Sequence, residues 1–273
     1  MPIRDILLHV GASRAYGGRL RVTLLLARLF EARVIGISVL PDPDVTALAK
    51  NGATAAELAA ELARLEDEAT HLGNNLMTAL GRHRLSGEWR MVRGPAAAAI
   101  ARQAHAVDLI VLSQHDPEHP GDLAAPEDVV LTSGRPVLIV PYTGRFHHVG
   151  KKIVVGWNGS REATRAAQAA LPIMATSSVV TVLRARPPTD GRSEDRSAEL
   201  MHHLQRHDLR ARREIVAAAQ EDVAEALQLR AVSLGADLIV MGAFGRSRLR
   251  EAILGGTTSD MLEQMIMPVL MTY

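Results

Sequence analysis

The chain contains no cysteine, which excludes disulfides, thiolate zinc sites and cysteine nucleophiles. It also lacks an apolar run long enough to cross a bilayer. Its first residues, MPIRDILLHV, enter a strand almost at once, without the charged segment, apolar core and cleavage site of a secretory leader. A cytoplasmic protein with no membrane partner is expected. An excess of one charge is missing as well, since 31 basic and 30 acidic residues leave a formal net charge of +1, dispersed without a long like-charge block. Nucleic acid is therefore not expected as the main partner. The one Arg-rich interval, residues 206–213, includes Asp208 and is followed by Glu214. It reads as the solvated end of a helix and the start of a strand. Lysine is scarce: Lys50, Lys151 and Lys152 are the only ones. None stands in a G-x-x-x-x-G-K-S/T loop, because five residues separate Gly144 from Gly150 and Lys152 takes the hydroxyl position. A P-loop triphosphatase is excluded.

With 273 residues, 47% of them hydrophobic, the chain has room for two globular domains of ordinary size. Apolar strands alternate with helical stretches throughout. In the first half, strands are expected at residues 3–10, 33–40, 89–92, 108–112 and 136–140, and helices at 17–30, 46–82, 96–104 and 127–133. Leu20, Thr23, Leu24, Ala27 and Leu29 fall near helical spacing in the first helix. From Lys151 the pattern starts again. KKIVVGWNGSREATRAAQAAL repeats RDILLHVGASRAYGGRLRVTL, and GADLIVMG answers AVDLIVLS. RPVLIVPY returns as MPVLMTY. Short buried strands rich in Val, Ile and Leu, joined by helices, call for an α/β fold with a parallel sheet covered on both faces. Ligands in such sheets bind outside the strand C-termini, where strand order reverses.

The stretch that follows ADLIVM, residues 242–258, reads GAFGRSRLREAILGGTT. Glycines at 242 and 245 let backbone approach a ligand closely. Gly255, Gly256, Thr257 and Thr258 precede a helical run at 259–265, whose unpaired N–H groups and positive dipole end suit phosphate. The end of the strand before it should lie beside residues 156–160, so that two glycine-containing turns face one crevice.

The spacing of Gly, two residues, Gly, nine residues, Gly resembles the nucleotide-binding signature of the universal stress protein family, and the resemblance spans the chain as two such domains in tandem. It implies residues 1–144 as a first domain and 150–273 as a second. It further implies two doubly wound parallel five-stranded sheets, adenine-nucleotide alpha-hydrolase-like, with strand order 3-2-1-4-5. The two halves would pair with each other through their last strands, with a homodimer as a further expectation. The implied ligand is ATP, ADP or AMP, with or without Mg²⁺. Carried over position by position, Gly156, Trp157 and Asn158 would lie near adenine and ribose, and Val182 at the end of the second strand would line the adenine. Met241 and Gly242 would meet the ribose, while Gly245, Gly255, Gly256 and Thr257 would meet the phosphates. Arg246 and Arg248 could add charge there or be exposed loop arginines. The family often has Asp where Asn158 stands, and Ser or Thr where Gly256 stands.

In the first half, SQHDPEHPGDLAAPEDVVLTSG replaces the spaced glycines, and Gly11 stands at the position of Asn158. Acidic side chains there would repel phosphate unless a metal intervened, so no nucleotide is expected in this half. His115, Asp116, Glu118, His119 and Asp122 have the donor types of a divalent metal site, but a solvated acidic loop is the preferred reading. His147 and His148 lie in the linker. His203 and His207 share a helical face as surface histidines or, less favoured, as a metal pair. Met261, Met265, Met267 and Met271 read as packing residues. Three functions stay open: a non-catalytic nucleotide-binding module for stress response or signalling, a slow ATP hydrolase or nucleotidyl-transfer relative, and a nucleotide-free interaction scaffold. No general base is evident near the phosphates, Glu251 being the nearest acid in the loop.

Overall fold

The computed structural model describes residues 2–42, 54–118, 125–186, 197–219, 221–245 and 256–273. In the first half the order is β1 (Asp5–His9), α1 (Tyr16–Phe30), β2 (Arg33–Leu40), α2 (Ala55–His83), β3 (Gly87–Arg93), α3 (Ala96–Gln103), β4 (Leu109–Ser113), α4 (Pro126–Thr132) and β5 (Val137–Val140). The second half repeats it as β6 (Lys152–Gly156), α5 (Arg161–Met174), β7 (Val179–Arg186), α6 (Ser197–Arg206), β8 (Ala211–Ala217), α7 (Val223–Ser233), β9 (Leu238–Gly242), α8 (Thr257–Gln264) and β10 (Val269–Thr272).

The strands form one ten-stranded sheet, ordered β3-β2-β1-β4-β5-β10-β9-β6-β7-β8. Each half is parallel and has the order 3-2-1-4-5 in its own numbering. The halves meet at β5 and β10, which run antiparallel with Ile139 opposite Val269 and Val137 opposite Met271. These two strands carry VLIV and VLMT, and all eight residues are buried. An exposed apolar edge of that kind invites pairing, and here each strand covers the other. The outer strands, β3 and β8, instead carry charged residues such as Glu88, Arg90, Arg212 and Glu214.

Every residue of β4 is buried, as a central parallel strand with two covered faces requires. One core packs under α1, α2, α5 and α6, with Leu8, Leu26, Leu76, Val155, Ile173 and Leu204 among its members. The other packs under α3, α4, α7 and α8, with Ile37, Ile100, Val129, Leu227, Ile239 and Met261. Met261, Met265, Met267 and Met271 are all buried in it, in keeping with a packing role.

Two elements differ from the sequence reading. The buried face of α1 is Arg19, Val22, Thr23, Leu26 and Ala27, while Leu29 is 48% exposed. The helix is apolar over most of its length, so its pattern is weak, and the sheet beneath it selects the face. The long helix expected at 46–82 is found as Ala55–His83, opened by a capping box between Thr54 and Glu57; residues 46–53 lie outside the described residues. Its inner face rests on the sheet, and Gly73 is seated against the Trp89 ring.

A repeated carboxylate sets the start of each first strand. Asp108 accepts from the amides of Arg4 (2.7 Å) and Asp5 (3.0 Å). Asp237 accepts from those of Gly150 (2.9 Å), Lys151 (3.2 Å) and Lys152 (3.1 Å). This is why the D-L-I-V segment recurs with its Asp: the acid satisfies backbone donors that have no ladder partner.

Candidate functional site

The second half presents a crevice at the C-terminal ends of β6 and β9, beside the start of α5. After Gly156 the chain turns through Trp157, Asn158 and Gly159, which has φ +73°. Asn158 Oδ1 accepts from the amide of Ser160 (3.0 Å), and Ser160 Oγ accepts from that of Ala163 (3.1 Å). Ser160 thereby caps α5. Across from it, β9 ends at Gly242. A Cβ placed there would stand 2.4 Å from the backbone nitrogen of Ala163 and 2.5 Å from the carbonyl carbon of Glu162. The missing side chain therefore lets the strand end press against the first turn of α5. Gly245 is looser: its Cβ would be 3.4 Å from Glu162 Oε2 and 3.6 Å from Ser160 Oγ.

Helix α8 begins on the same crevice. Phe244, held at φ +55°, donates its amide to Thr258 Oγ1 at 3.0 Å, which ties the loop after β9 to the first turn of α8. Gly256 precedes that helix in extended conformation with no side-chain cap. Two helix N-termini and two glycine turns thus converge, an arrangement of backbone donors and dipole ends suited to an anion.

Of the residues singled out from sequence, Gly156, Asn158, Gly242, Gly245, Gly256 and Thr257 gather at this edge. Three others belong to the core by their side chains. Trp157 lies on the face of β6 shared with Ile153 and Val155 and is 9% exposed. Its indole nitrogen is buried without a hydrogen-bond partner, and only its backbone is offered to the crevice. Val182 is not at the end of its strand: β7 runs on to Arg186, the residue level with Gly156 is Leu183, and Val182 has no exposed surface. Met241 is 5% exposed and packs in the second core. Gly255, Arg246, Arg248 and Glu251 lie outside the described residues. Sequence reasoning passed over Ser160 and Glu162. A capping signal, Ser before a helical run, was available for the first; for the second no local signal exists, since its proximity to Gly245 comes from the packing of β9 on α5.

The first half has the same frame but a different filling. Val10 donates its amide to Ile37 O as Trp157 does to Leu183 O, so His9 corresponds to Gly156, Ser113 to Gly242, Gln114 to Ala243, Asp116 to Gly245 and, by count, Arg19 to Ala166. All five first-half side chains are buried, at 4, 6, 4, 2 and 0% exposure respectively. Arg19 spans the crevice, its guanidinium donating to Ser113 Oγ (2.8 Å) and to Gly11 O (2.9 Å). It also stacks 5.6 Å from the centroid of Tyr16. Burial raises the pKa of that phenol above its ordinary value, and the nearby guanidinium pulls it partly back.

The acidic loop departs from the solvated reading. Asp116 is buried and bound by Arg14, Nε to Oδ2 at 2.6 Å and Nη2 to Oδ1 at 3.1 Å, and the same guanidinium reaches Glu118 Oε2 at 3.1 Å. His119 and Asp122 lie outside the described residues. Among the described residues no group of three His, Asp or Glu side chains is placed to hold a metal. His203 and His207 do share a face of α6, rings 4.7 Å apart and edge to face, with His203 Nε2 2.7 Å from Gln168 Nε2. Desolvation lowers the pKa of His203, assisted by the neighbouring His207 and Arg206. The Arg-rich interval divides as expected, α6 ending at Arg206 and β8 starting at Ala211.

Gln114 adds a link between halves. Its amide donates to the carbonyls of Leu262 (2.8 Å) and Glu263 (2.9 Å), near the C-terminal end of α8. A first-half side chain therefore holds the far end of the helix whose N-terminus opens on the second-half crevice.

Among the described residues no helix is long and apolar enough to cross a membrane. Residues 150–272 match the family model of the Universal stress protein family. A universal stress protein from Archaeoglobus fulgidus has a similar structure, with a TM-score of 0.76 at 14% identity, over 98% of this chain and 95% of that one. A functionally unknown protein from Pseudomonas aeruginosa gives a TM-score of 0.61 at 20% identity, over 99% of this chain and 92% of that one. At such identities these likenesses speak to the fold. A search of curated proteins found no match.

Proposed function

We propose, from the match of residues 150–272 to the Universal stress protein family, that the protein is an adenine-nucleotide-binding module for stress response or signalling, with one site per chain in the second half. The observation that carries the reading is the contrast between the halves. Where one crevice has Gly156, Gly242 and Gly245, the other holds buried His9, Ser113 and Asp116 and is crossed by Arg19. The first half, 1–144, then serves as a scaffold that supports α8 through Gln114. Phosphates would be received by backbone donors at Gly245 and at the start of α8, including Gly256 and Thr257; Gly255, the other glycine of the spacing, lies outside the described residues. The ribose would rest near Gly242, and the base near Gly156 and Asn158, whose amide can recognise a polar edge without adding charge.

The reading is one of binding and not turnover, because no described residue at the crevice is set up as a general base; Glu162, the carboxylate beside Gly245, has one oxygen held by Arg161. Calorimetric titration of nucleotide-stripped protein with ATP, ADP and AMP, followed by phosphate release on the same sample, tests it. Saturation at one site per chain without release is expected. Two sites would overturn the assignment of the first half, and release of phosphate would favour a slow hydrolase. No binding to any of the three nucleotides would leave a nucleotide-free scaffold.

A further inference from the structure

Glu162 is the second residue of α5 and is 4% exposed. An acid in the first turn gains from the helix dipole, but a carboxylate taken out of water ordinarily has its lone pairs satisfied. Here Arg161 binds one oxygen of Glu162, and the other faces the loop after β9. Oε1 accepts from Arg161 Nε at 3.0 Å and lies 2.9 Å from Nη2. Oε2 has no hydrogen bond among the described residues and stands 3.4 Å from the point a Cβ on Gly245 would occupy, with Ser160 Oγ 3.6 Å from the same point. A carboxylate oxygen and a hydroxyl therefore converge on the loop assigned to the phosphates.

A bare polyphosphate drawn to Gly245 would meet that negative charge at close range, where shielding by water and salt is reduced. A divalent cation removes the conflict. Magnesium in particular is held by one or two carboxylates together with substrate phosphates and retained water, without a protein cage of its own. No group of three acidic or histidine ligands is assembled among the described residues, so the cation would arrive with the phosphates. We infer that Glu162 makes this site select a nucleotide carried with a divalent cation over the metal-free nucleotide, the cation facing Glu162 Oε2 and Ser160 Oγ. The exposed Arg161 is a partial counter-charge that moderates the selection. The inference rests on the nucleotide reading of the second half, and its test separates the two.

The full-length chain is titrated with ATP in excess Mg²⁺ and again in EDTA, as wild type, E162Q and R161A. Wild type is expected to bind more tightly with Mg²⁺. E162Q should bind metal-free ATP at least tenfold more tightly than wild type does, what is left of a like-charge repulsion worth about a thousandfold at ~4 Å in an effective dielectric of ~20 once Arg161 and solvent screen it, and should lose most of the Mg²⁺ preference. R161A alters only an exposed side chain, keeps the carboxylate, and should widen the preference. Equal affinity of wild type with and without Mg²⁺, an undiminished preference in E162Q, or a narrowed one in R161A would overturn the role of Glu162 while leaving the nucleotide site standing. Absence of ATP binding by wild type in both buffers would overturn the nucleotide reading and this inference with it.

Discussion

Replacing Gly242 by Ala tests whether this glycine makes room for the backbone of α5. The added Cβ would stand 2.4 Å from the Ala163 nitrogen and 2.5 Å from the Glu162 carbonyl carbon, where ordinary contact begins at 3.4 Å. About 1 Å of relief must therefore come from moving β9 away from α5, and the obstacle is backbone, which cannot swing aside as a side chain can. Overpacking of this kind costs about 1–3 kcal/mol, and an unyielding partner puts this case near 3. For a chain of this size that lowers the melting temperature by roughly 6–12 °C. Gly245→Ala is the control: its Cβ meets Glu162 Oε2 at 3.4 Å, its φ is not in the left-handed region, and its cost should stay within about 1 kcal/mol of wild type. Urea unfolding of the two variants beside wild type reads the difference. If Gly242→Ala were as stable as wild type, or Gly245→Ala equally destabilised, the close approach of β9 to α5 would be refuted, and with it the geometry assigned to the crevice.

Three further expectations concern the frame around the site. Asp237→Ala removes the acceptor for three amides and Asp108→Ala that for two. Each should cost about 1–3 kcal/mol, the former more, and the reverse order in urea unfolding would contradict the proposed role. Gln114→Ala strips donors from the Leu262 and Glu263 carbonyls. It should cost about 1–3 kcal/mol and speed amide hydrogen exchange in residues 257–265, whereas unchanged exchange there would show that Gln114 does not hold α8. His203 has a folded pKa below its unfolded value, chiefly through desolvation, so the unfolded chain binds its proton first as pH falls. Its contribution is present above about 6.5 and is lost as the pH drops from there through the folded value. His203→Gln should flatten the dependence of the urea midpoint on pH between about 7.5 and 5, and an unchanged slope would assign that dependence to other groups.

Much of this architecture can be read from the chain, because a repeat reports itself. AVDLIVLS and GADLIVMG predict equivalent fourth strands, and RPVLIVPY and MPVLMTY predict the last strands that meet in the middle of the sheet. The gathering of Gly156, Asn158, Gly242 and Gly245 at one edge follows from strand order alone. What could not be read is what each glycine makes room for. Gly242 fits the spacing of a ligand loop, yet the space beside it is taken by the backbone of α5; a sequence marks close approach without naming the partner. A run of apolar residues does not say where its strand stops, so Val182 reads as a strand end although β7 continues to Arg186. Arg19 is hidden for another reason. A basic residue in a helix ordinarily faces water, and the juxtaposition of Gly11, Ser113 and the Tyr16 ring gives its guanidinium somewhere to go. That burial, together with Asp116 under Arg14, leaves the start of a loop that reads as acidic and open packed against two arginines at residues 113–116.

The contact between the halves also gives a physical reason for joining them in one chain. The first half completes the sheet at β5 and β10 and reaches across through Gln114 to the end of α8. A ligand bound at the start of α8 would therefore act on a helix held at its other end by the opposite half. It could shift the arrangement of the halves only by binding one arrangement better than another.

The account stands or falls on where an adenine nucleotide sits. Photolabelling of the full-length protein with an azido-adenine ATP analogue, followed by peptide mapping, reads this directly. The label should fall on second-half peptides bearing residues 156–158 or 241–245 and be displaced by excess ATP. Label in the first-half crevice around residues 9–19 or 113–118, or second-half label that excess ATP does not displace, would contradict it.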